Sequence, residues 1–107
     1  MTRLTAAFWV QAYLRRLALE NIPAYILAHG DDTAGAVLVK LATLDGQARL
    51  FQRGFDLQTG ARVWQQLEQG TEEQIDTTLQ RQLGFDPDLW VIELEDRAGR
   101  HFLDDYV

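Results

Sequence analysis

Residues 36–55 read AVLVKLATLDGQARLFQRGF, in which two mostly apolar stretches flank Asp45 and Gly46. Aspartate followed by glycine is typical of a two-residue hairpin turn, because both residues tolerate the positive backbone angles that the turn requires. The pattern therefore predicts a β-hairpin between residues 36–44 and residues 47–55.

A two-residue loop also determines which side chains lie opposite one another. It places Leu41 opposite Leu50 and Lys40 opposite Phe51. One predicted face carries the apolar side chains Val37, Val39, Leu41, Ala48 and Leu50. The other face carries Leu38 together with the basic and aromatic side chains Lys40, Arg49, Phe51 and Arg53.

Two helices are predicted outside this hairpin. Residues 5–20 have apolar side chains at helical spacing, and Pro23 follows their end. Thr71 and Gln74 form a capping-box pattern that begins a second helix, and Gly84 fits its C-terminal cap. Each helix has one predicted core face.

Three more segments are predicted to contribute strands. Residues 25–28 form a short strand, residues 62–67 favour a strand over a short helix, and residues 89–95 alternate like a half-buried strand. The order helix, strands, helix, strands predicts an α+β fold. We expect a mostly antiparallel sheet of four to six strands with both helices packed on one face.

Composition limits the function classes. A chain of 107 residues predicts a single domain over residues 1–107. The absence of cysteine excludes disulfides, thiol nucleophiles and cysteine-bound metals. No transmembrane or secretory pattern is found, which predicts a cytoplasmic protein. The net charge of −6 disfavours nucleic acid as a partner, and no motif predicts a cofactor.

Three segments resemble a known family: AFWVQAYLRR at residues 7–16, GAVLVK at residues 35–40 and FDPDLWVIELED at residues 85–96. Together they are similar to an uncharacterised alphaproteobacterial family of short proteins, known only as a domain of unknown function. The resemblance spans nearly the whole chain. It implies a bacterial cytosolic protein and supplies no activity, cofactor or site residue.

Acidic residues suggest one enzymatic alternative, a metal-dependent hydrolase or nuclease. Five carboxylates lie close together in the sequence: Asp86, Asp88, Glu93, Glu95 and Asp96. The usual nuclease pattern places an acid one residue before a lysine on a strand, whereas Arg97 follows the last of these acids. Turn residues and the solvated side of a strand explain the same carboxylates, so we predict no metal site.

Both histidines also have acidic neighbours in the sequence. His29 precedes Asp31 and Asp32, and His101 precedes Asp104 and Asp105. Imidazole and carboxylate together bind transition metals when the segments that carry them converge. Turn and terminal positions explain these residues without a metal.

The predicted hairpin face with Lys40, Arg49, Phe51 and Arg53 suggests a second alternative, a weak nucleic-acid binder, because it combines cations with an aromatic plane. Ordinary cross-strand salt bridges with Glu93 and Glu95 are the competing interpretation. The overall acidity favours the salt bridges.

The first helix carries the leading hypothesis. Its core side holds Val10, Tyr13, Leu14 and Leu17, but a second apolar ridge remains at Phe8, Ala12 and Leu19, with Trp9 at the margin. Exposed apolar ridges mark interfaces. The sequence therefore predicts a non-catalytic binding or interaction module that uses this helix, with a protein partner or a second copy forming a homodimer. The alternative is a cover from within the same chain.

Overall fold

Two helices and five strands follow one another along the chain. The protein is described by a computed structural model over residues 4–105. The elements are α1 (Ala6–Leu19), β1 (Ala24–Ala28), β2 (Val37–Ala42), β3 (Gln47–Phe55), β4 (Arg62–Thr71), α2 (Glu72–Phe85), β5 (Trp90–Glu95) and a 3-10 helix at Leu103–Asp105. The predicted order of elements is confirmed.

The five strands form one sheet in the order β1-β5-β2-β3-β4. β5 runs parallel to β2, and the other neighbouring pairs are antiparallel. The α+β class with a mostly antiparallel sheet is confirmed. β5 lies inside the sheet with Trp90, Val91 and Ile92 all buried, so it is more deeply buried than its alternating sequence suggests.

α1 and α2 pack on opposite faces of the sheet, so the expectation that both helices share one face is wrong. Along β2, Val39 and Leu41 pack with α1, whereas Leu38 packs with α2. The inner strands carry apolar side chains on both faces, and each face needs its own cover from water.

The loop between β2 and β3 is longer than the predicted turn. The Thr43 N–H donates to the Gln47 carbonyl over 3.2 Å, which encloses three residues instead of two. Leu44 and Gly46 have positive φ angles of 63° and 86°, and Asp45 does not. A three-residue loop with glycine at its last position is a common alternative to the two-residue turn.

That extra residue shifts the register by one. Lys40 lies opposite Leu50, and Phe51 lies opposite Val39. The predicted pairings of Lys40 with Phe51 and of Leu41 with Leu50 are therefore wrong. A shift of one residue moves a whole strand to the other face, so the two predicted hairpin faces do not exist as drawn from the sequence.

The helix starts agree with their capping patterns. Thr5 caps α1 by accepting a hydrogen bond from the Phe8 N–H at 3.2 Å. The capping box at Thr71 and Gln74 is confirmed, with reciprocal hydrogen bonds of 3.2 and 2.9 Å. Gly84 is not the C-terminal cap, because α2 continues to Phe85.

β4 confirms that residues 62–67 are a strand. The strand extends to Thr71, which is also the N-cap of α2, so strand and helix are joined without a loop. Neither helix in residues 4–105 is long and apolar enough to cross a membrane.

Candidate ligand-binding cleft

An open cleft of about 840 Å³ lies at the end of the sheet where β2 begins and β3 ends. The start of α1, the end of α2 and the first residue of β4 complete its walls. Val37 and Leu89 contribute apolar surface, and Arg53, Arg62 and Asp86 contribute charge. A concave, mainly apolar surface with a few polar groups is typical of small-molecule sites.

The Arg53 guanidinium contacts two indole rings that also pack against each other. Trp64 is its cross-strand neighbour on β4, and Trp9 approaches from α1. The guanidinium carbon is 5.1 Å from the centre of each ring, and the two ring centres are 5.2 Å apart. Cation–π contacts with aromatic rings orient an arginine without using its hydrogen-bond donors.

Among residues 4–105, three N–H groups at this place are buried without an acceptor: Nε and Nη2 of Arg53, and Nε1 of Trp9. The two arginine nitrogens are on the same edge of the guanidinium, the edge that binds two oxygens of a carboxylate or phosphate side by side. Trp9 itself is almost fully buried. Buried donors without acceptors are uncommon in folded proteins and call for an explanation.

Arg62 adds a second positive charge beside Arg53. Burial lowers the pKa of Arg53, and the charge of Arg62 lowers it further. Within residues 4–105, no carboxylate lies within 4.0 Å of either guanidinium. Two neighbouring cations without a counter-ion repel each other, and an anion placed between them relieves the repulsion.

The start of α1 lines the cleft but is not the source of its positive character. The Ala6 and Ala7 N–H groups donate to the carbonyls of Thr33 and Asp32 over 3.1 and 2.9 Å. The next N–H, that of Phe8, is taken by the Thr5 cap. These first-turn amides are already satisfied, so recognition of an anion falls to Arg53, Trp9 and Arg62.

The predicted basic and aromatic face is divided between the two sides of the sheet. Lys40 points toward α2, whereas Arg49, Phe51 and Arg53 are on the α1 side. Phe51 is buried and packs against His101 at 4.8 Å. These four residues therefore form no common surface, and only Arg53 reaches the cleft.

Lys40 is the centre of an ion cluster, in which the sequence predicted the cross-strand partner Glu93 but not the two acids from α2. It is 2% exposed, and its Nζ lies 2.8 Å from Asp76, 2.9 Å from Glu93 and 3.1 Å from Glu72. Burial favours the neutral amine, but hydrogen bonds to the three carboxylates outweigh it and raise the pKa of Lys40. The acids on α2 gave no sequence signal that they would reach this lysine.

The acidic residues 86–96 do not converge on one point. Asp86 accepts from the Asp88 N–H, Glu93 binds Lys40, and Asp96 binds Arg100 at 3.0 Å. No group of three histidine, aspartate or glutamate side chains within residues 4–105 is placed to hold a metal ion.

The two histidines lie in different surroundings. His29 pairs with Asp32 at 2.8 Å and packs on Trp90. His101 lies on Phe51 and accepts the Leu103 N–H at Nδ1 over 3.1 Å. Burial lowers the pKa of His101, and Arg49 lowers it too, against an opposing effect of Asp104.

The ridge of α1 divides into a buried and an exposed part. Phe8 and Leu19 are 60% and 69% exposed, and Ala12 is half-buried. Trp9 is not at an exposed margin, as the sequence suggested, but in the core, where it stacks on Tyr13 at 5.0 Å.

The fold and the cleft define a small α+β protein with an arginine and tryptophan site at one end of its sheet. The chain belongs to DUF1491, a family of proteins of unknown function, whose family model matches residues 4–104. This confirms the resemblance seen in the sequence. No curated protein matches the chain.

Solved structures of similar proteins share the fold. The crystal structure of a DUF1491 family protein from Caulobacter crescentus is 41% identical, covers 94% of this chain and 93% of that chain, and gives a TM-score of 0.82. The solution structure of protein Atu0922 from A. tumefaciens is 28% identical, with 88% and 86% coverage and a TM-score of 0.73.

Proposed function

We propose that this protein is a non-catalytic binding module whose ligand places a carboxylate or phosphate group against Arg53. The observation that carries the proposal is the set of three buried N–H donors without acceptors on Arg53 and Trp9. An unsatisfied buried donor costs about 1–3 kcal/mol. An oxyanion that accepts from these groups recovers that cost on binding.

The protein already places the groups that such a ligand needs beside the cleft. Trp9 and Trp64 both contact the guanidinium, and Arg62 supplies the second charge. The free edge is shielded from water in this conformation, and the side chain borders the cleft. A small turn of Arg53 toward the cleft brings the edge to the ligand.

Binding is favoured over catalysis by the chemistry of these groups. A guanidinium and an indole N–H remain donors throughout the physiological pH range and take up no proton. They suit recognition of a negative charge rather than general base catalysis. The carboxylates of Asp86, Glu93 and Asp96 hold other partners, so the hydrolase alternative has no support from this geometry.

Titration with two simple anions tests the proposal. Inorganic phosphate and benzoate are added separately to the ¹⁵N-labelled protein, and the Trp9 indole N–H and Arg53 Nε–H resonances are followed. We expect at least one anion to shift both resonances saturably. Arg53→Gln should weaken that binding at least about tenfold, or about 1.4 kcal/mol.

Arg81→Gln is the matched control, because it removes an exposed arginine from α2 outside the cleft lining. It should leave the affinity unchanged. If neither anion moves the Trp9 indole resonance, or if both variants lose binding equally, the assignment of the ligand site is wrong.

Self-association through α1 is the second candidate function. Phe8 and Leu19 keep more than half of their surface in water, and burying such a side chain contributes about 1.5–3 kcal/mol. A homodimer or a protein partner on this ridge accounts for that exposure. The double variant Phe8→Asp and Leu19→Asp should stay folded and sediment as a smaller species; an unchanged mass would remove this candidate.

A further inference from the structure

Within residues 4–105, the part of one sheet face at β1 has no helix over it, and the chain connectivity explains why. α2 links β4 to β5, which are separated by β3 and β2. The helix crosses that interval and packs against β3 and β4. β1 lies beyond β5 at the edge of the sheet, outside the reach of this connection.

The uncovered part of the sheet face, at β1, carries apolar side chains. Tyr25 lies opposite Glu93, on the face that α2 covers farther along the sheet. Tyr25 and Leu27 are 49% and 52% exposed. A groove of about 420 Å³ runs between Leu27 and the Leu83 side of α2.

The dimensions of this area suit one helix. Adjacent strands are about 4.8 Å apart, so β1 and the half-buried Glu93 and Glu95 of β5 form a strip roughly 10 Å wide. Packed helices lie about 8–10 Å from one another. The five residues of β1 span about 17 Å, the length of roughly three helical turns.

The rim of the groove is negatively charged. Asp76 and Glu93 line it, and Glu95 accepts a hydrogen bond from Tyr25 that raises the pKa of the phenol. Lys40 is already surrounded by three carboxylates, which leaves two negative charges uncompensated in that cluster. A second copy of this chain, with a net charge of −6, is a poor match.

We propose that the face formed by Tyr25, Leu27 and Leu83 docks a basic amphipathic helix of a partner protein beside α2. The apolar side of that helix covers the exposed residues, and its lysine or arginine side chains face Asp76, Glu93 and Glu95. The site is on the opposite side of the sheet from Arg53 and does not depend on the oxyanion proposal.

Two designed peptides test the proposal. Each is an amphipathic helix of about three turns, built from leucine with lysine in one case and from leucine with glutamate in the other. The ¹⁵N-labelled protein is titrated with each. We expect the lysine peptide to bind at least about tenfold more tightly and to shift resonances of β1, β5 and the 76–83 part of α2.

A matched pair of variants distinguishes binding at this face from non-specific binding of the peptide elsewhere on the protein. Leu27→Asp removes an apolar contact from the groove, whereas Leu57→Asp changes a fully exposed leucine in a loop. Leu27→Asp should abolish binding of the lysine peptide, and Leu57→Asp should not change it. Thermal unfolding of both variants confirms that they are folded.

Three outcomes overturn the proposal. Equal affinity for the two peptides removes the charge argument, and shifts confined to β1 without α2 indicate addition of a strand at the sheet edge instead. Dimerisation that Leu27→Asp abolishes, seen by sedimentation without peptide, assigns the face to a second copy.

Discussion

Lys40 and Arg53 are both cations withdrawn from water, but their surroundings differ in whether they provide acceptors for the charged group. Lys40 faces α2 and has three carboxylates within 3.1 Å. Arg53 faces α1 and has two indole rings, a neighbouring arginine and no acceptor for two of its nitrogens. The lysine donors all have acceptors among the described residues, whereas two buried arginine donors have none. A cation whose donors are satisfied indicates a structural role for that cation, and a cation with buried unsatisfied donors indicates a binding site.

The largest change in the free energy of unfolding should come from removing the lysine at the centre of the ion cluster. Lys40→Met leaves three carboxylates facing one another around an apolar side chain. We expect a loss of about 3 kcal/mol at neutral pH, the low end for broken buried pairs, because Glu72 and Asp76 keep contact with water. Urea unfolding at neutral and alkaline pH measures this loss.

The stabilisation by Lys40 should be complete below its unfolded-state pKa of 10.5 and should fall as the pH rises above it, because its folded-state pKa is raised. A loss independent of pH would show that packing of the lysine stem, rather than charge, holds the cluster.

Replacing Arg53 should not lower the stability of the protein, in contrast to replacing Lys40. Arg53→Met removes buried donors without acceptors while keeping an apolar stem against Trp9 and Trp64. We expect the unfolding free energy to stay constant or rise by about 1 kcal/mol, with anion binding lost. Arg53→Lys, which keeps the charge but not the two-nitrogen edge, should bind weakly. A marked fall in stability for Arg53→Met would place Arg53 with the structural cations.

His101 provides a third environment, in which positive charge is disfavoured. Its pKa is lowered chiefly by burial, so its contribution to stability is present above the unfolded-state pKa of about 6.5 and is lost as the pH falls through the folded value. Protonation of Nδ1 also removes the hydrogen bond from Leu103. Between pH 7 and pH 4, His101→Gln should lose less stability than the wild type, by up to about 1 kcal/mol. Parallel curves would contradict this.

The smallest effect concerns Arg62, which is exposed. Arg62→Gln relieves its repulsion with Arg53 and should raise stability by only roughly 0.3 kcal/mol. It should nevertheless weaken phosphate binding more than benzoate binding, because a dianion gains more from the second charge. Equal weakening for both anions would limit Arg62 to general attraction.

Local patterns in the sequence predicted the elements, because caps and periodicity act over a few residues. The Thr71 and Gln74 box fixed the start of α2, and alternation predicted β5 as a strand. The prediction of the hairpin register was wrong because Leu44 adopts a positive φ. Nothing about a leucine side chain indicates such a backbone angle. That error of one residue placed Lys40 on the side of Phe51 and hid the contribution of Glu72 and Asp76 to its ion cluster.

The cleft was only partly accessible from sequence. With strands predicted at residues 47–55 and 62–67, pairing Phe55 with Arg62 across the loop places Arg53 opposite Trp64, as is found. The approach of Trp9 depends on which face α1 covers, and a missing acceptor is a property of three-dimensional surroundings. Neither can be deduced from residue spacing.

The direct junction of β4 and α2 at Thr71 ties two kinds of geometry together. If β4 slipped by one residue along β3, the start of α2 would move with it, and one residue of helix corresponds to a rotation of about 100°. Ile75 and Leu79, the buried residues of α2, would then turn away from the sheet. Wrong strand pairing is thus penalised twice, once in the sheet and once in the helix, and the correct pairing and the helix packing should form in one cooperative step.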